Sequence, residues 1–396
     1  MSKVRRVAVL AGSSIGWREK LMRGIAGYSH EHGHWHVYTA PEGTEASLFF
    51  SETYSWDGLI VRVSSAVEVR RILKLRVPTV SVGSAKVRSS ALPRVKVDDR
   101  ALTALAVRHL HGAGLRQFAY CSWFKRSDED RGPAFAANLA TKGLGCEFYS
   151  DFTSLPLSAA WPARQRDLVK WVRRLPKPVG ILTWNPDIAC QLVEACNVAQ
   201  VPVPQEAAII TGDDDPTKCE LSNPTISAIE IPAERIGYEA AALLDRLMSG
   251  HAAPAQPILI EPAGIVTVRE SSNVSTLPDR DVHLAVQFIR EHCTEPIRMD
   301  EVARRLAVSR RWLERHFVQV LGHSPHEELQ RCRLEQAKKM LLESDLSAAR
   351  IAVMCGFGSA SYFNTFFRRL ARLTPLQFRN SQRVGKRGRR KGRPAR

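Results

Sequence analysis

The feature that most restricts the fold is a pattern written twice into the last 120 residues. Val302-Ala303-x-x-Leu306-Ala307-Val308-Ser309 is followed by Leu313 and Phe317. Ile351-Ala352-x-x-Cys355-Gly356-Phe357-Gly358-Ser359 is followed by Phe363 and Phe367. Each copy reads as a short helix, a tight turn, and a serine whose side chain caps a second helix. From that serine onward the apolar residues recur four apart, so one face is buried and the other is free. This is helix-turn-helix patterning in duplicate. Between the copies, Leu329, Leu334, Ala337 and Leu341 fall at helical spacing. A long helix over 327–343 would hold the two units rigidly.

The charge follows the repeat. The 396 residues hold 57 Lys and Arg against 40 Asp and Glu, a net of +17. Residues 1–276 carry only +4 of it, whereas 277–396 carry +13, and the last fourteen positions hold +8 with no acid. Positive charge concentrated beside helix-turn-helix units is the footprint of a double-stranded DNA partner. Helix 309–320 would enter one major groove, with Arg310, Arg311, Glu314 and Arg315 facing outward. Arg can bind guanine through two hydrogen bonds, and Glu can accept from cytosine. The matching residues of the second unit, Ala360, Ser361, Asn364 and Thr365, are short and uncharged. They suit thymine methyls or DNA shape, with Arg368 and Arg369 on phosphate. The tail, with Arg390, Lys391 and Arg393, is either a minor-groove arm of the AT-hook kind or a non-specific phosphate-binding arm.

The first 270 residues follow a different rule. Strand candidates at 7–10, 36–39, 59–63, 79–82, 117–121, 179–183 and 208–211 alternate with helical stretches. Such alternation predicts parallel sheets covered by helices, and the length fits two of them. Ligands of open α/β sheets bind beyond the carboxyl ends of the strands. The loops there hold Trp17 and Arg18, then Arg131, then Asp213 and Asp214. A flat aromatic, an Arg and carboxylates suit a small polyol or sugar. Taken one at a time, each has a structural reading as well: core for Trp17, a local pair for Arg131, a turn or helix cap for the aspartates.

Other classes are excluded or left without support. No apolar run approaches the ~20 residues of a membrane span. The eight scattered cysteines include no CxxC pair, which fits reduced thiols. His30, His32, His34 and His36 read as a helix-to-strand turn, so no metal or cofactor is expected. No nucleophile motif or catalytic pair stands out, so no enzyme is expected. The apolar stretch 7–11 is too short for a signal sequence, and the expected location is the cytoplasm.

Two resemblances sharpen this. Residues 4–270 resemble the sugar-binding domain of LacI-type repressors and periplasmic sugar-binding proteins. The residues that carry it are Val95-Lys96-Val97-Asp98-Asp99, Asp130-Arg131 with Phe135, Ile210-Thr211-Gly212-Asp213-Asp214, and Pro262-Ala263-Gly264-Ile265-Val266. The resemblance implies two lobes, three hinge crossings, and sugar contacts from Arg131 and Asp213. Asn185-Pro186-Asp187 departs from the family's usual Asn-Asp. Residues 280–380 resemble the AraC/XylS-type DNA-binding module. That match runs through Arg333-Leu334-Glu335-Gln336-Ala337, Ser361-Tyr362-Phe363, Phe367-Arg368-Arg369 and Thr374-Pro375. It implies base reading by Arg311, Glu314 and Arg315.

The order of the two parts resembles xylose operon regulators. The expected architecture is an α/β two-lobed periplasmic-binding-protein-like sensor (1–272), a linker (273–279), an all-α domain with two helix-turn-helix units (280–380) and a basic tail (381–396). The resemblance implies a D-xylose ligand, a homodimer, RNA polymerase as partner and transcriptional activation. Another pentose or hexose, or repression, stays open.

Overall fold

A computed structural model describes residues 4–11, 15–39, 55–63, 66–83, 92–124, 128–150, 157–273 and 280–382. Most of the linker (274–279) and the tail from 383, with Arg390, Lys391 and Arg393, lie outside the described residues.

The chain begins with β1 (Arg6–Leu10), α1 (Ile15–His32), β2 (His36–Thr39), β3 (Gly58–Val61), α2 (Ala66–Lys74), β4 (Thr79–Val82) and β5 (Arg94–Val97). It then crosses to a second lobe: α3 (Asp99–Gly112), β6 (Gln117–Ser122), α4 (Arg131–Ala140), β7 (Glu147–Ser150), α5 (Leu157–Arg174), β8 (Val179–Thr183), α6 (Pro186–Ala199), β9 (Ala207–Thr211), α7 (Pro216–Leu221) and β10 (Ser227–Ile229). It returns to the first lobe for α8 (Ala233–Met248) and β11 (Ile258–Ile260), and crosses again to β12 (Val266–Thr267). The three crossings expected from the resemblance are therefore present.

The first sheet runs β11-β5-β4-β3-β1-β2 and the second β12-β10-β9-β8-β6-β7. All pairs are parallel except β12, which lies antiparallel on β10. Central strands are buried end to end, as in Ala-Ala-Ile-Ile-Thr of β9. Helices on both faces leave no solvent side, so these strands are apolar runs and not alternating ones. Five strands were not expected from periodicity: β5, β7, β10, β11 and β12.

The remaining chain is helical: α9 (Arg280–Glu291), α10 (Met299–Arg305), α11 (Arg310–Leu321), α12 (Pro325–Glu343), α13 (Ala348–Met354), α14 (Ala360–Ala371) and α15 (Pro375–Gln382). Ser309 accepts from the Trp312 N–H to cap α11, and Ser359 accepts from Tyr362 to cap α14. Leu313, Phe317, Phe363 and Phe367 are fully buried, as the four-residue spacing predicts. Two cores result. Leu313, Phe317 and Leu329 belong to the first, and Leu334, Leu341, Phe363 and Phe367 to the second. The helix α12 supplies residues to both, and Ser324 with Glu327 forms a reciprocal capping box at its start.

The third crossing also enters this helical region. Ala263 and Ile265, between β11 and β12, are buried in the second core beside Leu334 and Phe363. Gly264 between them has φ +77°, and a Cβ there would lie 2.9 Å from Lys338 Nζ of α12. His109 of α3 hydrogen-bonds Ser272 Oγ (2.7 Å), just past β12, and lies near Arg290 and Glu328 of the helical region.

Candidate ligand cleft and nucleic-acid interface

The carboxyl ends of both sheets face one cleft, lined by Trp17, Arg62, Arg131, Trp184, Asn185 and Asp213 among others. Parallel strands carry their loops to the same edge, so residues distant in sequence converge there. The first lobe supplies Trp17 from α1 and Arg62 just past β3. The second supplies Arg131 at the start of α4, Trp184 and Asn185 past β8, and Asp213 past β9.

Arg131 is the most constrained of these. It is 3% exposed, and its Nε donates to Asp99 Oδ1 (3.0 Å). Its Nη1 donates to the carbonyls of Trp184 and Gly212. Its guanidinium lies 4.7 Å from the centre of the Trp184 ring. A Cβ on Gly212 would come within 2.6 Å of Arg131 Nη1, so this position needs a glycine for the close approach. Burial would favour the neutral form, but Asp99 holds the Arg131 pKa above its ordinary value. Lys96 extends the network by pairing with Asp99 (3.2 Å) and Asp130. Arg131 is thereby tied to Asp99, the residue at which the chain first crosses between lobes.

The three consecutive aspartates separate. Asp213 faces the cleft and makes no hydrogen bond with any described residue; burial pushes its carboxyl up to about 6. Asp214 is engaged elsewhere, pairing with Arg269 (3.1 Å) and accepting from Thr267 Oγ1 (2.9 Å). Asp215 caps α7 by accepting from the Lys218 N–H. Trp17 is 7% exposed and forms a wall. Arg18, the next residue, is not in the lining.

Arg62 and Trp184 line the cleft without having been expected there. A strand reading that runs to Val63 buries Arg62 inside the sheet, whereas β3 ends at Val61 and releases it. Trp184 follows a well-predicted strand but belongs to no motif. Asn185, at the departure from the family pattern, lines the cleft and also caps α6 by accepting from Ile188 N–H (3.0 Å).

On the helical domain, Arg311, Glu314 and Arg315 stand exposed on α11. Arg310 is exposed too, but it is paired with Glu314 (2.9 Å) and Asp300 (3.2 Å). On α14, Ser361, Asn364, Thr365, Arg368 and Arg369 are exposed and Ala360 is half-buried. Thr365 Oγ1 donates back to the Ser361 carbonyl (3.2 Å).

Residues 107–272 match the periplasmic binding protein-like domain family, and residues 302–381 match a helix-turn-helix domain family. The chain is 27% identical over 387 residues to the xylose operon regulatory protein of Escherichia coli K12, covering 96% of this chain and 98% of that protein. The xylose operon regulatory protein of Haemophilus influenzae is 26% identical, with 94% and 98% covered. Among solved structures, one described as the xylose-binding transcription activator xylR matches with a TM-score of 0.58 at 26% identity, covering 96% of this chain and 98% of that one.

Proposed function

We propose that this chain, which joins a periplasmic-binding-protein-like sensor to a paired helix-turn-helix domain in the order of the xylose operon regulators, is a sugar-responsive transcriptional regulator. In this reading residues 1–272 sense, 273–279 link, 280–380 bind DNA and 381–396 form a basic arm. D-xylose is the proposed sugar, because the relatives matching nearly the whole chain carry xylose in their names. The chain acts without catalysis, as a cytoplasmic homodimer that binds repeated half-sites and engages RNA polymerase to activate transcription. Among the described residues, no helix is long and apolar enough to cross a membrane.

The cleft suits an uncharged polyol. Arg131 and Lys96 are balanced by Asp99 and Asp130, and Arg62 is balanced by Asp213. Trp17 and Trp184 offer flat faces for the C–H surface of a sugar ring. Arg131, Asp213 and Trp17 are the proposed sugar contacts, with Arg18 and Asp214 supporting them from outside. Arg311, Glu314 and Arg315 are the proposed base readers of the first unit. Ser361, Asn364 and Thr365 read shape or methyl groups in the second, with Ala360 beside them and Arg368 and Arg369 on phosphate.

The observation that carries the regulatory reading is the path of the third crossing. Ala263 and Ile265 connect the lobes and are also part of the second helix-turn-helix core. A sugar that touches both lobes favours the closed form, and closure moves this segment together with the second DNA-reading helix packed on it. The sugar shifts the population only as far as its preference for the closed form allows. The test is to select duplexes from a random pool with the full chain, then titrate D-xylose against the selected duplex. A rise in DNA affinity is expected. If no aldopentose or aldohexose changes DNA affinity, the reading is wrong.

A further inference from the structure

We infer that Arg62 is a second ligand-binding cation of the cleft, set across from Asp213, and that this pair selects an uncharged sugar over a sugar acid. The inference rests on the sugar-cleft reading above.

Arg62 leaves the sheet directly after β3, its backbone anchored by a hydrogen bond from its N–H to the Leu10 carbonyl (2.8 Å). Its guanidinium lies 4.9 Å from the centre of the Trp17 ring. It makes no hydrogen bond or ion pair with any described residue. Arg131 contrasts with it, since Asp99 and two carbonyls already hold that side chain. Asp213 stands on the other lobe, equally without a hydrogen-bond partner among the described residues. The two half-buried charges attract each other, while Arg131 repels Arg62.

A guanidinium carries five N–H donors and a carboxylate has only acceptors. Withdrawn from water, such groups are costly until something satisfies them. A sugar does so from both sides: its hydroxyl and ring oxygens accept from Arg62, and its hydroxyl protons go to Asp213. The two residues come from different lobes, so a ligand held by both also links the lobes. Charge then sets the selectivity. With Asp213 ionised, a ligand carboxylate meets attraction from Arg62 and repulsion from Asp213. Without the Asp213 charge, Arg62 is left uncompensated and attracts the anion.

The test uses the full chain and its tryptophan fluorescence, since Trp17 and Trp184 both line the cleft. D-xylose and D-xylonate are the probes. Wild type is expected to bind D-xylose more tightly than D-xylonate. Arg62→Gln should weaken D-xylose at least tenfold, the scale of one charge-assisted hydrogen bond. Arg62→Lys, which keeps the charge and loses the fork, should fall between. The ligand-free thermal midpoint of Arg62→Gln should equal or exceed that of wild type, because no protein hydrogen bond is lost. Asp213→Asn should weaken D-xylose and tighten D-xylonate at least tenfold. Three results overturn the inference: unchanged D-xylose affinity in Arg62→Gln, a midpoint in that variant that falls together with affinity, or unchanged D-xylonate affinity in Asp213→Asn. A wild-type chain that binds no aldose overturns the sugar reading itself, which separates the two failures.

Discussion

At the scale of single residues, the cleft is defined as much by buried acids as by its cations. Glu129 is 2% exposed, accepts from the Tyr120 hydroxyl (2.7 Å) and feels the charge of Arg131. Burial raises its pKa from 4.5 to about 7. The folded chain therefore holds a proton that the unfolded chain releases earlier. Its contribution to stability is fully present below about pH 4.5 and is lost as pH rises through about 7. Glu129→Gln removes this dependence. The variant's stability advantage should be small near pH ~5 and largest near pH ~8, reaching at most about 3 kcal/mol. Thermal melts at the two pH values check this, and an equal loss at both would show a packing role instead. The aspartates at 213–215 mark how far sequence reading reaches here. Their position after a strand identifies a loop that reaches the cleft. Which of three adjacent carboxylates faces the cleft depends on Arg269 and Thr267 arriving from β12, more than fifty positions away.

At the scale of elements, the duplicated caps and buried positions of α11 and α14 were legible because local chemistry fixes them. A serine oxygen meets a free N–H at the helix start, and apolar residues return every four positions. The five unexpected strands have two to four residues each. So short a run does not complete enough of a period to stand out, and pairing with neighbours far along the chain is what makes it a strand. The outward face of α11 was legible in composition but not in commitment. Arg310 is engaged by Asp300 and Glu314, whereas Arg311 and Arg315 are exposed on the same helix. Substituting Arg311 by Ala should cost about 1–3 kcal/mol at one base position and relax specificity there. Arg310→Ala should cost less than that and should free Glu314. Binding to a panel of single-base operator variants measures both, and a larger specificity loss from Arg310→Ala would reverse the assignment.

At the scale of the molecule, the sensor and the DNA-reading region are joined by more than a linker. Ile265 is 6% exposed in a core that also contains Phe363 and Phe367, one turn apart on the second reading helix. Lobe closure and placement of that helix therefore share a packed side chain, and packed cores switch between discrete arrangements instead of stretching. Binding linkage adds a strict condition. If D-xylose tightens DNA binding by some factor, saturating DNA must tighten D-xylose by the same factor. Ile265→Ala leaves the cleft residues untouched but removes the side chain proposed to transmit closure. Both factors should then fall together toward one, while the cleft still binds sugar as read by tryptophan fluorescence. Truncating a buried Ile also destabilises the second core by about 2–5 kcal/mol, so the comparison belongs well below the variant's thermal midpoint. Should the variant keep the full coupling factor, closure reaches the DNA-reading helices by another route, with His109, which bonds Ser272 and lies near Arg290 and Glu328, the next residue to test.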